Sequence, residues 1–165
     1  MKVSVIITTY NAVEWLQKVL IGYSVQTECD FEIVIADDGI PFNGISLMHG
    51  PLGGAESCVV WLAEAFAELG HRVTCLTNYP STAEHNGVNW LPLSGRHPEE
   101  ADLYIANRGH RALYFMPKAK HCAFWIHNPA EYILKIRYLW PIMRRRPAMV
   151  FLSNFHKSTL PQWVL

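Results

Sequence analysis

Short runs of apolar, β-branched residues alternate along this chain with segments of helical periodicity. Residues 3–7 form the first run, closed by Thr8, Thr9, Tyr10 and Asn11, and predict a buried strand with a polar exit. Within 12–25, Val13, Leu16, Val19 and Leu20 recur at helical spacing, which predicts an amphipathic helix. Residues 31–36 (FEIVIA) predict a second strand, followed by Asp37-Asp38-Gly39. A Pro- and Gly-bearing loop covers 40–52. Gly53-Gly54-Ala55-Glu56 then opens a strong helix whose Cys58, Val59, Leu62, Ala63, Phe66 and Leu69 share one face, and Gly70-His71 closes it. Further strands are predicted at 72–77, 88–93, 102–106, 123–126 and 149–153, with a polar loop over 78–87. A short helix at 112–116, a helix over 130–143 broken at Pro141, and a helical turn over 154–160 complete the reading.

This alternation predicts an α/β fold, a mostly parallel sheet with helices on both faces. Ligands bind such sheets at the carboxyl ends of the strands. The polar exits fall there: Thr9-Tyr10-Asn11, Asp37-Asp38-Gly39, Thr77-Asn78, Asn107-Arg108-Gly109, His127-Asn128 and Ser153-Asn154.

Composition narrows the classes. Half of the 165 residues are hydrophobic and 17% are charged, which excludes a disordered chain and suits one domain with an appended element. Fourteen Lys and Arg against fourteen Asp and Glu give zero net charge, which disfavours a nucleic-acid binder. No apolar run approaches the roughly 18–20 residues that span a bilayer, and the apolar opening is too short for a signal peptide. Cys29, Cys58, Cys75 and Cys122 form no CxxC pair, which predicts free thiols, a cytoplasmic setting and no structural zinc. The histidines show no metal-ligand spacing, so neither a metal nor a cofactor is expected.

The candidate chemistry sits at the strand exits. Gly53-Gly54 at a helix start lets an anionic ligand reach unpaired N–H groups; the alternative is a tight loop that only glycine tolerates. Glu56 in the first turn suits the helix dipole in either case. His127 is a candidate hydrogen-bond donor or proton relay, against a loop histidine bonded to backbone. Asp37 and Asp38 could bind a ribose, an acceptor hydroxyl or a metal; adjacent at a strand end they point different ways, which favours one hydrogen-bonding and one loop-capping Asp over a metal pair. Arg108 offers a guanidinium to a phosphate or carboxylate, or is simply solvated. Lys135, Arg137, Arg144, Arg145 and Arg146 interleave with aromatic and aliphatic residues, and no acid interrupts 135–146. That suits an anionic membrane surface or a lipid-linked phosphate acceptor; the alternative is a core helix with a solvated basic end.

Two resemblances share this chain. Residues 3–39, with a strand, a T-Y-N exit, a helix carrying Q-T near its end and a strand ending in D-D-G, resemble the opening of family 2 glycosyltransferases, inverting enzymes of the GT-A fold. That resemblance implies nucleotide contacts at Thr9, Tyr10 and Asp37 or Asp38, but the D-x-D metal motif of the family is missing. From about Phe31 onward, FEIVIADDGIPF, PLGGAESCVVWLAEAFAELGHRVTCLT, WIHNPAEY and VFLSNFH resemble the N-terminal half of family 4 glycosyltransferases, retaining enzymes of the GT-B fold with two Rossmann-like halves. This implies a 1–30 extension before a 31–165 Rossmann-like, acceptor-side domain, joined as a natural or engineered fusion or as an added opening on a family 4 relative.

The second resemblance implies transfer of a sugar from a UDP- or GDP-sugar to a sugar or lipid-linked acceptor. His127 would touch the transferred sugar, and Gly53, Gly54, Glu56, Asp37, Asp38, Arg108 and Asn128 would contact donor or acceptor. The donor-binding half would be a second domain, so this piece alone is expected to be inactive, and the complete enzyme to work at or near the inner membrane face. The alternative is a non-catalytic or chimeric Rossmann-like module that self-associates, for example as a homodimer.

Overall fold

β1 (Glu32–Asp37) is the centre of the molecule, with all residues from Ile33 to Asp37 buried. The computed structural model describes residues 30–115 and 118–161. Among these, β1 is joined by β2 (Arg72–Thr77), β3 (Ala83–His85), β4 (Val88–Pro92), β5 (Glu100–Asn107), β6 (Lys118–Ile126) and β7 (Ala148–Phe151) in one sheet, ordered β3-β4-β2-β1-β5-β6-β7. Every pairing is parallel except β3 with β4.

Alternate residues of β1 serve opposite faces. Ile33 and Ile35 pack with Val59, Val60 and Ala63 of α2 (Gly54–Glu68), together with Val73, Cys75 and Trp90. Val34 and Ala36 pack on the other face with Phe124, Ile126, Leu113, Ile133 and Ile142, contributed partly by the 3-10 turns Ala112–Tyr114 and Ala130–Leu134 and by α3 (Ile136–Arg145). The fold is therefore the expected α/β one, Rossmann-like, with helices on both faces. Two short helices complete it, α1 (Ser46–His49) and α4 (Asn154–Ser158). Ser153 caps α4, its Oγ accepting the His156 N–H at 3.0 Å.

The chain leaves β1 through α2 to β2 on one side, then returns to β5 on the other. Strand order thus reverses between β1 and β5, and their carboxyl ends flank a switch point. The ends of β1 and β5 are in register, with Asp37 opposite Asn107.

Three expectations are corrected. The polar loop over 78–87 contains β3, joined to β4 by Asn86-Gly87; both residues have positive φ (48° and 75°), the turn geometry that suits strand twist. The helix over 130–143 breaks not at Pro141 but at Lys135, where the backbone is extended between the 3-10 turn and α3. Pro141 lies inside α3 and is buried. The loop over 40–52 holds α1, where Asn43 and Ser46 exchange hydrogen bonds. The expected strand at 3–7, helix at 12–25, Cys29, Thr9 and Tyr10 lie outside the described residues. Among the described residues, both edges of β1 are occupied, by β2 and β5. Cys58, Cys75 and Cys122 are free thiols, and no described helix is long and apolar enough to cross a membrane.

Candidate functional site

Asp37 is fully buried at the end of β1 and is held from three directions. Its Oδ1 accepts the Gly39 N–H at 2.7 Å and Arg108 Nη2 at 3.2 Å, and its Oδ2 accepts Asn107 Nδ2 at 2.5 Å. Arg108 Nη2 also donates to Glu56 Oε1 at 2.5 Å. One guanidinium thus ties the end of β5 to the end of β1 and to the first turn of α2. A buried carboxylate needs such partners, because burial without them penalises its charge.

Local backbone makes this possible. Arg108 adopts the left-handed conformation, φ 45°, while its N–H still extends the ladder by donating to the Trp125 carbonyl at 2.8 Å. A non-glycine residue held there stores strain, which is typical of functional or tightly determined positions. A Cβ on Gly39 would run into the Arg108 guanidinium, and one on Gly109 into the Asp38 carboxylate. Asp38 turns away from Asp37 and accepts the Arg111 N–H at 3.1 Å. Asp37 thus sits inside the network and also caps its own turn at Gly39, while Asp38 ties down the loop that follows β5.

Electrostatics follow from the contacts. Burial alone would raise the Glu56 carboxyl, but the hydrogen bond from Arg108, its own backbone N–H and the charges of Arg108 and His127 outweigh burial and hold it below the ordinary value. His127 shifts down as well, first because it is half-buried and then because Arg108 is near, against the pull of Asp37 and Glu56. The imidazole is therefore neutral near pH 7. Its ring lies 4.5 Å from that of Trp125, and its Nε2 is sealed from solvent with no hydrogen-bond partner among the described residues. Asn107 Oδ1 is likewise buried without a partner. Two orphaned polar atoms beside one network call for a partner, since natural structures seldom leave such groups unpaired.

Next to the network opens a cleft of about 820 Å³. Asp38, Arg108, Asn128, Glu131, Tyr132 and Lys135 contribute to its wall. Tyr138 also lines it, and its ring meets that of Tyr132 edge-on at 4.9 Å. Both phenols stay neutral, pushed up chiefly by burial. The loop bearing Asn128 is pinned by His156, whose Nδ1 accepts the Leu152 N–H at 3.3 Å and whose Nε2 donates to the Asn128 carbonyl at 2.6 Å.

Of the sequence-predicted residues, Asp38, Arg108 and Asn128 line the cleft, while Asp37 and Glu56 stand behind Arg108 in the network. His127 is not on the cleft wall. Gly53 has ordinary extended backbone, and neither it nor Gly54 has positive φ, so a loop conformation reserved for glycine is not the reason for the pair. A Cβ at Gly54 would meet nothing within 4 Å, whereas one at Gly53 would run into the Glu56 carboxylate, which folds back over the start of α2. Arg108 is paired rather than simply solvated. Tyr132, Tyr138, Glu131 and His156 were missed as site residues; the aromatic pair was legible only as part of a mixed basic-aromatic run, and nothing local marked Glu131 or His156. Among the described residues no three His, Cys, Asp or Glu converge as a metal site.

Fold and site together define a Rossmann-like α/β domain with a polar, aromatic-lined cleft at the carboxyl edge, beside its topological switch point. Set against family models, curated proteins and solved structures, the chain matches none of them.

Proposed function

We propose that this chain is the acceptor-side half of a retaining glycosyltransferase cleft, acting with a donor-binding half on a UDP- or GDP-sugar. The observation that carries this reading is the free space at Gly54 in the first turn of α2, linked through Glu56 and Arg108 to a cleft with carboxylate, amide, ammonium and phenol groups. Carboxylates, an amide and aromatic rings suit sugar hydroxyls and ring faces, and the first N–H groups of α2 suit a diphosphate. In the transfer, an acceptor hydroxyl attacks the anomeric carbon, the bond to the diphosphate breaks, and the hydroxyl proton leaves with the departing phosphate oxygen. Helix N–H groups and Lys135 offset the charge that develops on the leaving group. Neutral His127, with Nε2 unpartnered, would bond the transferred sugar after a small displacement that exposes it.

A second reading, a non-catalytic binding module, is favoured by a different observation: Asp37 and Glu56 are both taken up by Arg108, so neither of these two carboxylates is aimed at a substrate. Titration with UDP- and GDP-sugars, followed by calorimetry, separates the two. Saturable binding that is lost in Gly54→Trp and weakened in Lys135→Ala supports the transferase half. Silence with every donor and with oligosaccharide acceptors supports the module.

A further inference from the structure

The outward side of α3 carries an apolar stripe. Ile136 is 76% exposed, Trp140 59% and Met143 68%, at spacings of four and three residues that place them on one line along the helix. The inward side is filled separately, by Tyr138, Pro141 and Ile142. Core packing therefore accounts for only one side of this helix, and the stripe needs another explanation. Exposed Lys135, Arg137, Arg144 and Arg146 flank it, and among the described residues none of these four stands within ion-pair distance of a carboxylate. Arg145 is turned to the domain, reaching the Tyr114 carbonyl at 3.4 Å.

Charge along the whole chain is divided in the same sense. From position 132 to the end there are six Lys and Arg and no Asp or Glu, while positions 1–131 hold eight Lys and Arg against fourteen Asp and Glu. The zero net charge thus hides a basic, acid-free end and an acidic remainder. A body so divided turns its basic end toward an anionic surface.

We propose that the α3 face docks on an anionic lipid bilayer, independently of what the cleft binds. Ile136, Trp140 and Met143 enter the headgroup–acyl boundary, where an indole is at home, and Arg137, Arg144 and Arg146 meet lipid phosphates. Charge complementarity selects this occupant. A second copy seated on the same face about a twofold axis would set these arginines against their equivalents, and like charges across an interface repel. A nucleic acid would satisfy the arginines and leave the apolar stripe in water. Lys135 and Tyr138 also line the cleft, so docking through α3 would hold the cleft mouth close to the lipid surface.

The test is co-sedimentation of the whole chain with vesicles of phosphatidylcholine alone and of phosphatidylcholine with phosphatidylglycerol. The expected result is binding at least about tenfold stronger to the anionic vesicles, weakened in about 0.5 M salt. Arg137→Glu with Arg144→Glu should abolish that preference. Ile136→Ser with Trp140→Ser should reduce binding at least about tenfold while leaving the circular dichroism unchanged, since both side chains face solvent. Equal binding to both vesicle types, no binding, or binding indifferent to both double variants overturns the proposal. So does a dimer in light scattering that the Ile136→Ser, Trp140→Ser variant dissolves, which assigns the face to a second copy.

Discussion

Arg108 Nη2 lies 2.5 Å from Glu56 Oε1, joining residues 52 positions apart and closing the start of α2 onto the end of β5. The same nitrogen reaches Asp37, so one cation bridges two carboxylates, of which Asp37 is fully buried.

Removing that cation should cost more than the loss of two hydrogen bonds. In Arg108→Met, Asp37 and Glu56 are left buried without a counter-charge, and urea unfolding should show a loss of about 3 kcal/mol or more. Arg108→Lys should recover only part, because a single ammonium on a flexible stem replaces the planar guanidinium that bridges both acids. A loss under about 0.5 kcal/mol in Arg108→Met, the range of ordinary surface changes, would show that the network contributes little.

Gly39→Ala tests the same contact from the other side. The added Cβ would occupy the position of the Arg108 guanidinium, and the arginine cannot withdraw without abandoning Asp37. Destabilisation of about 1–3 kcal/mol is expected. In an Arg108→Met background the same substitution should cost much less, a coupling that a double-mutant cycle measures.

Acid should weaken the fold in two stages. His127 is depressed in the folded state, so the unfolded chain binds its proton first, and stability falls as the pH drops below the ordinary value near 6.5. Glu56 is also depressed, so its contribution is present above the ordinary value near 4.5 and is lost as the pH falls further, through its folded value. His127→Gln should flatten the first stage, as read by melting temperature across pH 7.5 to 5 (roughly the histidine range), and leave in place the fall that begins below the ordinary glutamate value of 4.5.

Tyr104 is buried, and its hydroxyl donates to the Ala112 carbonyl, anchoring the turn after β5. Tyr104→Phe should leave that carbonyl with only the long bond from the Phe115 N–H, 3.4 Å, and lower stability by about 1 kcal/mol in denaturant unfolding, with secondary structure unchanged.

Much of the architecture was legible in the sequence because each element there depends on near neighbours. The apolar runs that became β1 and β2 and the one-faced pattern that became α2 follow from spacing alone, and the strand exits collected at one sheet edge because parallel strands share a direction. The hairpin strand β3 was equally local in origin. Asn86-Gly87 is the dipeptide that a tight hairpin demands, but the polar residues around it hid the signal. The break at Lys135 rather than Pro141 was less accessible, since proline ordinarily breaks a helix, whereas here it lies buried inside α3.

The partners of the charged residues were decided by tertiary structure alone. Nothing near Arg108 in sequence marks Asp37 or Glu56, 71 and 52 positions away, as its counter-charges. Those distances collapse only when β5 lies beside β1 and α2 returns over them. His156 and Asn128 meet in the same way, across 28 positions. Hydrophobic periodicity records which side of an element is buried, and so the sequence by itself determined the layers. Ion pairs and cleft walls depend on which ends of different elements meet, and only the order of strands in the sheet determines that.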